Sequence, residues 1–246
     1  MPPSCWRLSV CLLPAIFLMT CGGSALAQDL ALGLRAGASS TRFVSDEGWE
    51  HRLGAAGGVL LSLGLHDLLA LQVEFLVAEA GAHFPGNPDG FPRWPDKDVG
   101  LTYLQMPVLA RLQLRSMMPG FIRPTAHLGP ALSVLVSCNY ARQGPDRFLD
   151  APEGEPVSCR SRHPAVRDAG GAVPDIGVPF AQPRAYDVGV VAGAGVEVVV
   201  GTSLVTFEAR YGRGFLSVDR LGIPAARNEG WLITATWSRL VHSFVP

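Results

Sequence analysis

Eight segments of this chain carry apolar side chains at every second position, and no other feature of the sequence constrains its fold as strongly. Leu69, Leu71, Val73, Phe75 and Val77 oppose Gln72 and Glu74. Leu104, Met106, Val108, Ala110 and Leu112 oppose Gln105, Arg111 and Gln113. Leu128, Leu132 and Val134 oppose Arg123, Thr125, His127 and Ser133, and Val188, Val190, Val196 and Val198 oppose Asp187 and Glu197. Four further segments follow the same rule around Leu32, Leu61, Phe207 and Ile233. Successive side chains on a strand point to opposite faces, so each segment has one apolar and one polar face. About ten residues is also the length a tilted strand needs to cross a bilayer.

The alternative way to cross a bilayer is missing. Beyond the leader, the longest uncharged run is Pro124 to Ala141, and Pro124, Gly129 and Pro130 break it as a helix. Only 17% of residues are charged, against about 25% in soluble domains. The first residues read as an export signal: Arg7, an apolar stretch from Val10 to Met19, then Ala25-Leu26-Ala27 before Gln28. The sequence therefore predicts a signal peptide over 1–27 and a single domain over 28–246. An exported, apolar chain without spanning helices leaves the closed barrel. The expected fold is all-β, an antiparallel up-and-down transmembrane β-barrel of about eight strands. A soluble lipocalin-like binding barrel would show the same alternation with its apolar face inside. The polar faces argue against that, being mostly Gly, Ala, Ser and Thr with isolated charges and no lysine.

The links between segments alternate as well. Long polar links over about 39–52, 79–98, 137–183 and 218–229 are separated by tight turns at His66-Asp67, Met117-Met118-Pro119 and Gly201-Thr202. Long outer loops and short periplasmic turns characterise barrels of the bacterial outer membrane, which is the expected location. The domain keeps two cysteines, Cys138 and Cys159, both in the longest link, and an even pair in an exported chain predicts one disulfide.

With the polar faces turned inward, the lumen receives Arg35, Arg111, Arg123 and Arg210 against Glu74, Asp187, Glu197 and Glu208. These opposite charges cancel, which predicts a paired structural network; an eight-stranded lumen is just wide enough for side chains to fill. Trp231 and Trp237 lie on the apolar face of one strand near its two ends, as membrane-interface aromatics would.

Several strands resemble those of the porin-family outer-membrane β-barrel domain, in particular the PorT-like group. The residues that carry the likeness are Tyr103-Leu104-Gln105-Met106-Pro107-Val108, Pro124 with Gly129-Pro130-Ala131-Leu132, Gly193-Ala194-Gly195-Val196-Glu197, and Glu208-Ala209-Arg210-Tyr211 with Gly214. The resemblance spans about 30–241 and implies a fold and a location. Two departures stand out. Phe244 lies two residues before the end of the chain, where such barrels end on an aromatic, and Pro107, Pro124 and Pro130 fall inside strands, implying bulges or missing ladder bonds.

No catalytic or metal constellation emerges. His242 and Ser243 are adjacent, so on a strand they point apart and cannot serve as base and nucleophile. The histidines lack zinc-ligand spacing, and Gly193-Ala194-Gly195 lacks the third glycine and helix of a dinucleotide site. No cofactor is expected. A net charge of −1 gives no footprint for nucleic acid. The expected partners are outer-membrane lipids, the outer-membrane assembly machinery and an extracellular ligand of the loops. The expected role is structural or interactive. The alternatives are a narrow channel for small solutes and a lipid-modifying enzyme, such as a lipid A deacylase or acyltransferase, which a Ser and a His meeting across neighbouring strands near one rim would favour.

Overall fold

A computed structural model describes residues 29–45, 48–86, 96–114, 122–143, 157–159, 183–219 and 226–243; the predicted signal peptide lies outside them. Eight long strands form: β1 (Asp29–Val44), β2 (Glu50–His66), β3 (Leu69–Phe84), β4 (Asp96–Gln113), β5 (Ile122–Gln143), β7 (Tyr186–Val200), β8 (Ser203–Gly214) and β9 (Arg227–Ser243), with a two-residue β6 (Val157–Ser158) between β5 and β7. Neighbours in sequence pair antiparallel, β1 pairs β9, and β4 pairs β5, so the sheet closes on itself. The protein is an eight-stranded antiparallel barrel. Closure gives each of the eight long strands a partner on both sides, and only the short β6, paired to β5 alone, stands outside the ring.

The faces are inverted relative to a soluble barrel. Leu34, Leu128 and Ile233 on the outside are 59%, 58% and 65% exposed, whereas Glu74 and Glu197 inside are fully buried. On β9 the outward residues from Trp231 to Trp237 are apolar and are flanked by Glu229 and Arg239. About ten residue steps of ~3.3 Å, tilted by about 40°, put those two charges roughly 25 Å apart, the height of an outer-membrane apolar band. This orientation is incompatible with the lipocalin-like arrangement.

Strands β1 to β5 run further toward the loop end than the polar residues of the links suggest. The links between strands become 45–49 and 85–95 in place of the expected 39–52 and 79–98, β5 runs to Gln143 past the expected start of the 137–183 link, and the last link moves from 218–229 to 215–226 at unchanged length. The physical reason is that backbone groups still need partners above the membrane, so the ladders continue after the outward side chains turn polar. At the other end Asp67-Leu68 and Gly201-Thr202 close their hairpins in two residues, Gly201 at φ 62°. The turn expected at 117–119 lies outside the described residues.

The prolines open gaps rather than bulges. Around Pro107 the paired positions pass from Val73–Val108 to Leu76–Gln105 on one side and from Pro107–Ala131 to Ala110–Leu128 on the other, with no change of register. Proline brings no N–H to the ladder, and the register survives the missing bond. Pro124 and Pro130 likewise keep register with Val196 and Val190. The true shifts lie elsewhere. One at Thr102/Tyr103 inserts Val136 as an extra residue of β5, so that Cys138 and Tyr140 turn inward after it as Leu135 does before it. Another, between His51 and Ala56, interrupts the β2–β3 pairing. There Thr41 reaches across from β1: its hydroxyl accepts from Gly81 N at 2.9 Å and donates to Gly81 O at 3.0 Å.

Candidate functional site

The lumen is organised in two levels, and each follows from strand parity. The lower level is ionic. Arg35 is the central inward residue of β1, Glu74 that of β3, and Glu208 and Arg210 stand two apart on one face of β8. Arg210 Nη1 and Nη2 lie 2.7 Å from Glu74 Oε2 and Oε1, and its Nη2 lies 2.8 Å from Glu208 Oε2. Arg35 Nη1 lies 3.0 Å from Glu74 Oε1 and Nη2 lies 2.6 Å from Glu208 Oε2. Two guanidinium groups thus interleave with two carboxylates, and all four side chains are at most 2% exposed. Arg35 Nε donates to Thr236 Oγ1 at 2.9 Å, and Gln72 donates to Glu74. Toward the turns, Arg111 Nη2 lies 2.8 Å from Glu197 Oε2.

Six of the eight charges read as a lumen network are therefore in contact as pairs or within the cluster. The other two stand apart. Arg123 has the inward parity but sits at the turn-side mouth, exposed, while its cross-strand neighbour Glu197 is taken by Arg111. Asp187 is buried near the loop end, where its Oδ1 accepts from Leu216 N at 3.0 Å; it holds the start of the 215–226 link. Parity alone cannot separate these cases, because it fixes the face of a residue and not its height in the barrel.

The upper level is apolar, and the sequence reading missed it. Phe43, Trp49, Val99, Leu101, Tyr103 and Tyr140 form a buried cluster drawn from β1, β4, β5 and the 45–49 link. Val218 and Ala226 close it from the 215–226 link. The rings of Phe43 and Trp49 meet edge to face at 5.2 Å. The Cys138–Cys159 disulfide borders this core and ties β5 to the residue after β6. Extending the alternation of β1 past Ala38 would have placed Phe43 inward beside Ser39. Between the two levels lies a cavity of about 110 Å³ bounded by Arg210, Gln105, Ser133, Gly212, Asn228 and Tyr103. Asn228 Nδ2 donates to Tyr103 Oη at 3.1 Å on its upper side.

The charged lumen, the apolar exterior and the closed sheet describe a barrel built for lipid. Residues 26–220 match the family described as outer membrane protein beta-barrel domain. The chain belongs to this family. Solved structures similar to this outer-membrane barrel include Neisserial surface protein A, 13% identical with a TM-score of 0.44 over 85% of this chain and 97% of that one. Others are Ail, the attachment invasion locus protein of Yersinia pestis (10%, 0.38, 85% and 99%), and the outer membrane protein OprG from Pseudomonas aeruginosa (12%, 0.44, 89% and 98%). No curated protein matches the chain.

On the outside of the barrel, Trp231 and Trp237 both face outward, half exposed, near the two ends of the apolar stretch of β9. A serine and a histidine do meet near one rim: Ser40 Oγ lies 3.3 Å from His51 Nδ1 across β1 and β2, exposed. Among the described residues no carboxylate holds the other ring nitrogen of His51, so the pair lacks the third group that orients a catalytic base. No cluster of His, Cys, Asp or Glu able to hold a metal occurs among the described residues.

Proposed function

We propose that the protein is a non-conducting outer-membrane barrel with a structural or interactive role, offering its loop end to an extracellular ligand. The observation that carries this reading is the filled lumen: Arg35, Glu74, Glu208 and Arg210 cross it at one height with side chains at most 2% exposed. A pore needs a continuous water-filled path, and barrels of about sixteen strands provide one where eight do not. The apolar cluster above adds a second obstruction. The disulfide and the cluster also brace the described residues at the loop end, which suits recognition better than passage. In this reading residues 1–27 direct export, the assembly machinery inserts the barrel, Trp231 and Trp237 anchor it in outer-membrane lipid, and its kinship lies with the PorT-like barrels, whose strand pattern it shares at Tyr103–Val108. The test is planar-bilayer recording of the purified protein. Silence is the expected result, and steady unitary currents would replace this reading with the narrow channel.

The Ser40–His51 contact is the one observation that favours a lipid-modifying enzyme. Incubation with acylated glycolipid checks it: fatty-acid release that disappears in Ser40→Ala would make the protein an acyl hydrolase. Without an orienting acid, no release is expected.

A further inference from the structure

The outward face changes character abruptly at the loop end of β8, β9 and β1. Tyr211 and Trp231 are cross-strand neighbours whose rings approach to 5.3 Å, and Ser40 completes their row. In the next row up, Arg213 on β8 and Arg42 on β1 flank Glu229 on β9, each directly opposite it. One step higher Arg227 pairs across to Val44. Arg42, Arg213 and Arg227 are exposed, the Arg42 side chain at 46%. Glu229 is fully engaged: Oε1 accepts from Arg42 Nε and Nη2 at 2.9 and 2.8 Å, and Oε2 accepts from the Tyr211 hydroxyl at 2.7 Å. Among the described residues Arg213 and Arg227 are in no ion pair. Elsewhere on this rim the cations stand beside acidic or aromatic groups: Arg52 on β2 pairs with Asp98 on β4 at 3.2 Å, and Lys97 lies over the Phe84 ring, so the excess of arginines is greatest at β8, β9 and β1.

We infer that this rim, Arg42, Arg213 and Arg227 above Tyr211 and Trp231, binds the phosphate groups of the outer-leaflet glycolipid, lipid A. The inference rests on the reading that the loop end faces the exterior. The aromatic pair sits where acyl chains give way to headgroups, which fixes the height at which a lipid phosphate meets the protein. Arg213 and Arg42 are two strand spacings apart, about 10 Å, so they can reach two separate anionic groups. Guanidinium forks match phosphate oxygens, and Glu229 holds Arg42 in a fixed posture before the lipid arrives. Three arginines against one carboxylate leave the patch cationic. A bisphosphorylated headgroup satisfies that charge better than a singly charged glycerophospholipid.

Native mass spectrometry of the full barrel in detergent, titrated with bisphosphorylated lipid A, dephosphorylated lipid A and phosphatidylglycerol, tests this. Lipid A carrying both phosphates should bind at least tenfold more tightly than either competitor. Arg42→Gln, Arg213→Gln and Arg227→Gln should each weaken it about tenfold, the loss of one charge-assisted hydrogen bond. Arg239→Gln, outward on β9 at the turn end, should bind as wild type. Equal binding of phosphatidylglycerol or of dephosphorylated lipid A, or wild-type binding by the rim variants, overturns the site. Loss of binding in Arg239→Gln alone overturns the site together with the orientation it rests on. Because the rim residues are exposed, a compact unboiled band on electrophoresis verifies that each variant is folded. Conductance is measured separately, so an open channel would defeat the closed-barrel reading without touching the lipid result.

Discussion

Arg210 grips Glu74 across the lumen with both terminal guanidinium nitrogens, each 2.7 Å from a different carboxylate oxygen. The geometry is bidentate, and the same guanidinium also holds Glu208, so one side chain on β8 links two acids that would otherwise face each other. Removing Arg210 leaves Arg35 alone to balance both. Arg210→Met should therefore cost about 3–5 kcal/mol, the penalty for stranding a buried charge. Arg123→Gln, at the exposed mouth, should stay within about 0.5 kcal/mol of wild type. Urea unfolding of the barrel in lipid vesicles, followed by tryptophan fluorescence, measures both; equal midpoints would mean that the cluster contributes no stability.

The disulfide closes the outermost part of β5 onto the residue after β6, its cysteines 21 positions apart in sequence. In the chain-entropy account a loop of that size is worth about 3 kcal/mol. Thiol labelling of the unreduced protein should find no free cysteine in the mature chain. Reduction should lower the unfolding midpoint and loosen the apolar core beside Cys138.

Thr41 satisfies both backbone groups of Gly81 where the β2–β3 pairing is interrupted. Valine has nearly the same shape and no hydroxyl. Thr41→Val leaves a buried N–H and C=O without their partner and should cost about 1–3 kcal/mol, against a much smaller cost for Ser40→Ala on the exposed face. Faster amide hydrogen exchange at Gly81 in Thr41→Val is the local signature; unchanged exchange would show that water takes over the hydroxyl's role.

These residues show what a linear reading can and cannot reach. The inward parity of Arg35, Glu74, Glu208 and Arg210 was legible because the alternation in each strand is unbroken and the side-chain period is two. Their pairing was not, since it depends on the stagger of β1, β3 and β8 around a closed sheet, and no local pattern encodes that. The separate places of Asp187 and Arg123 stayed hidden for the same reason: parity gives the face and not the height. The inward turn of Cys138 and Tyr140 depends on the extra residue Val136, which reverses parity without any glycine to announce it. Trp49 lies between strands, where periodicity says nothing.

The loop end should face the exterior. In a background with Cys138 and Cys159 replaced by serine, Ser45→Cys should react with a membrane-impermeant maleimide on whole cells, and Thr202→Cys, in the β7–β8 turn, should react only after the outer membrane is opened. The reverse pattern would invert the barrel in its membrane.

The two levels of the lumen act as independent obstructions, which leads to a prediction about their combination. Glu74→Ala with Arg210→Ala empties the centre of the ionic level, yet the cluster of Phe43, Trp49, Tyr103 and Tyr140 still spans the barrel above it. That double variant should remain silent in a planar bilayer despite its lower stability. Trimming the upper level alone, Phe43→Ala with Trp49→Ala, should be silent too, because Arg35, Glu74, Glu208 and Arg210 are untouched. Only the quadruple variant removes side chains at both heights, leaving a path through the cavity between them, and it should conduct. Ions crossing the ionic-level double variant would show that the apolar cluster opens readily. A silent quadruple variant whose unboiled band still runs compact would show that the remaining side chains close the lumen without either cluster.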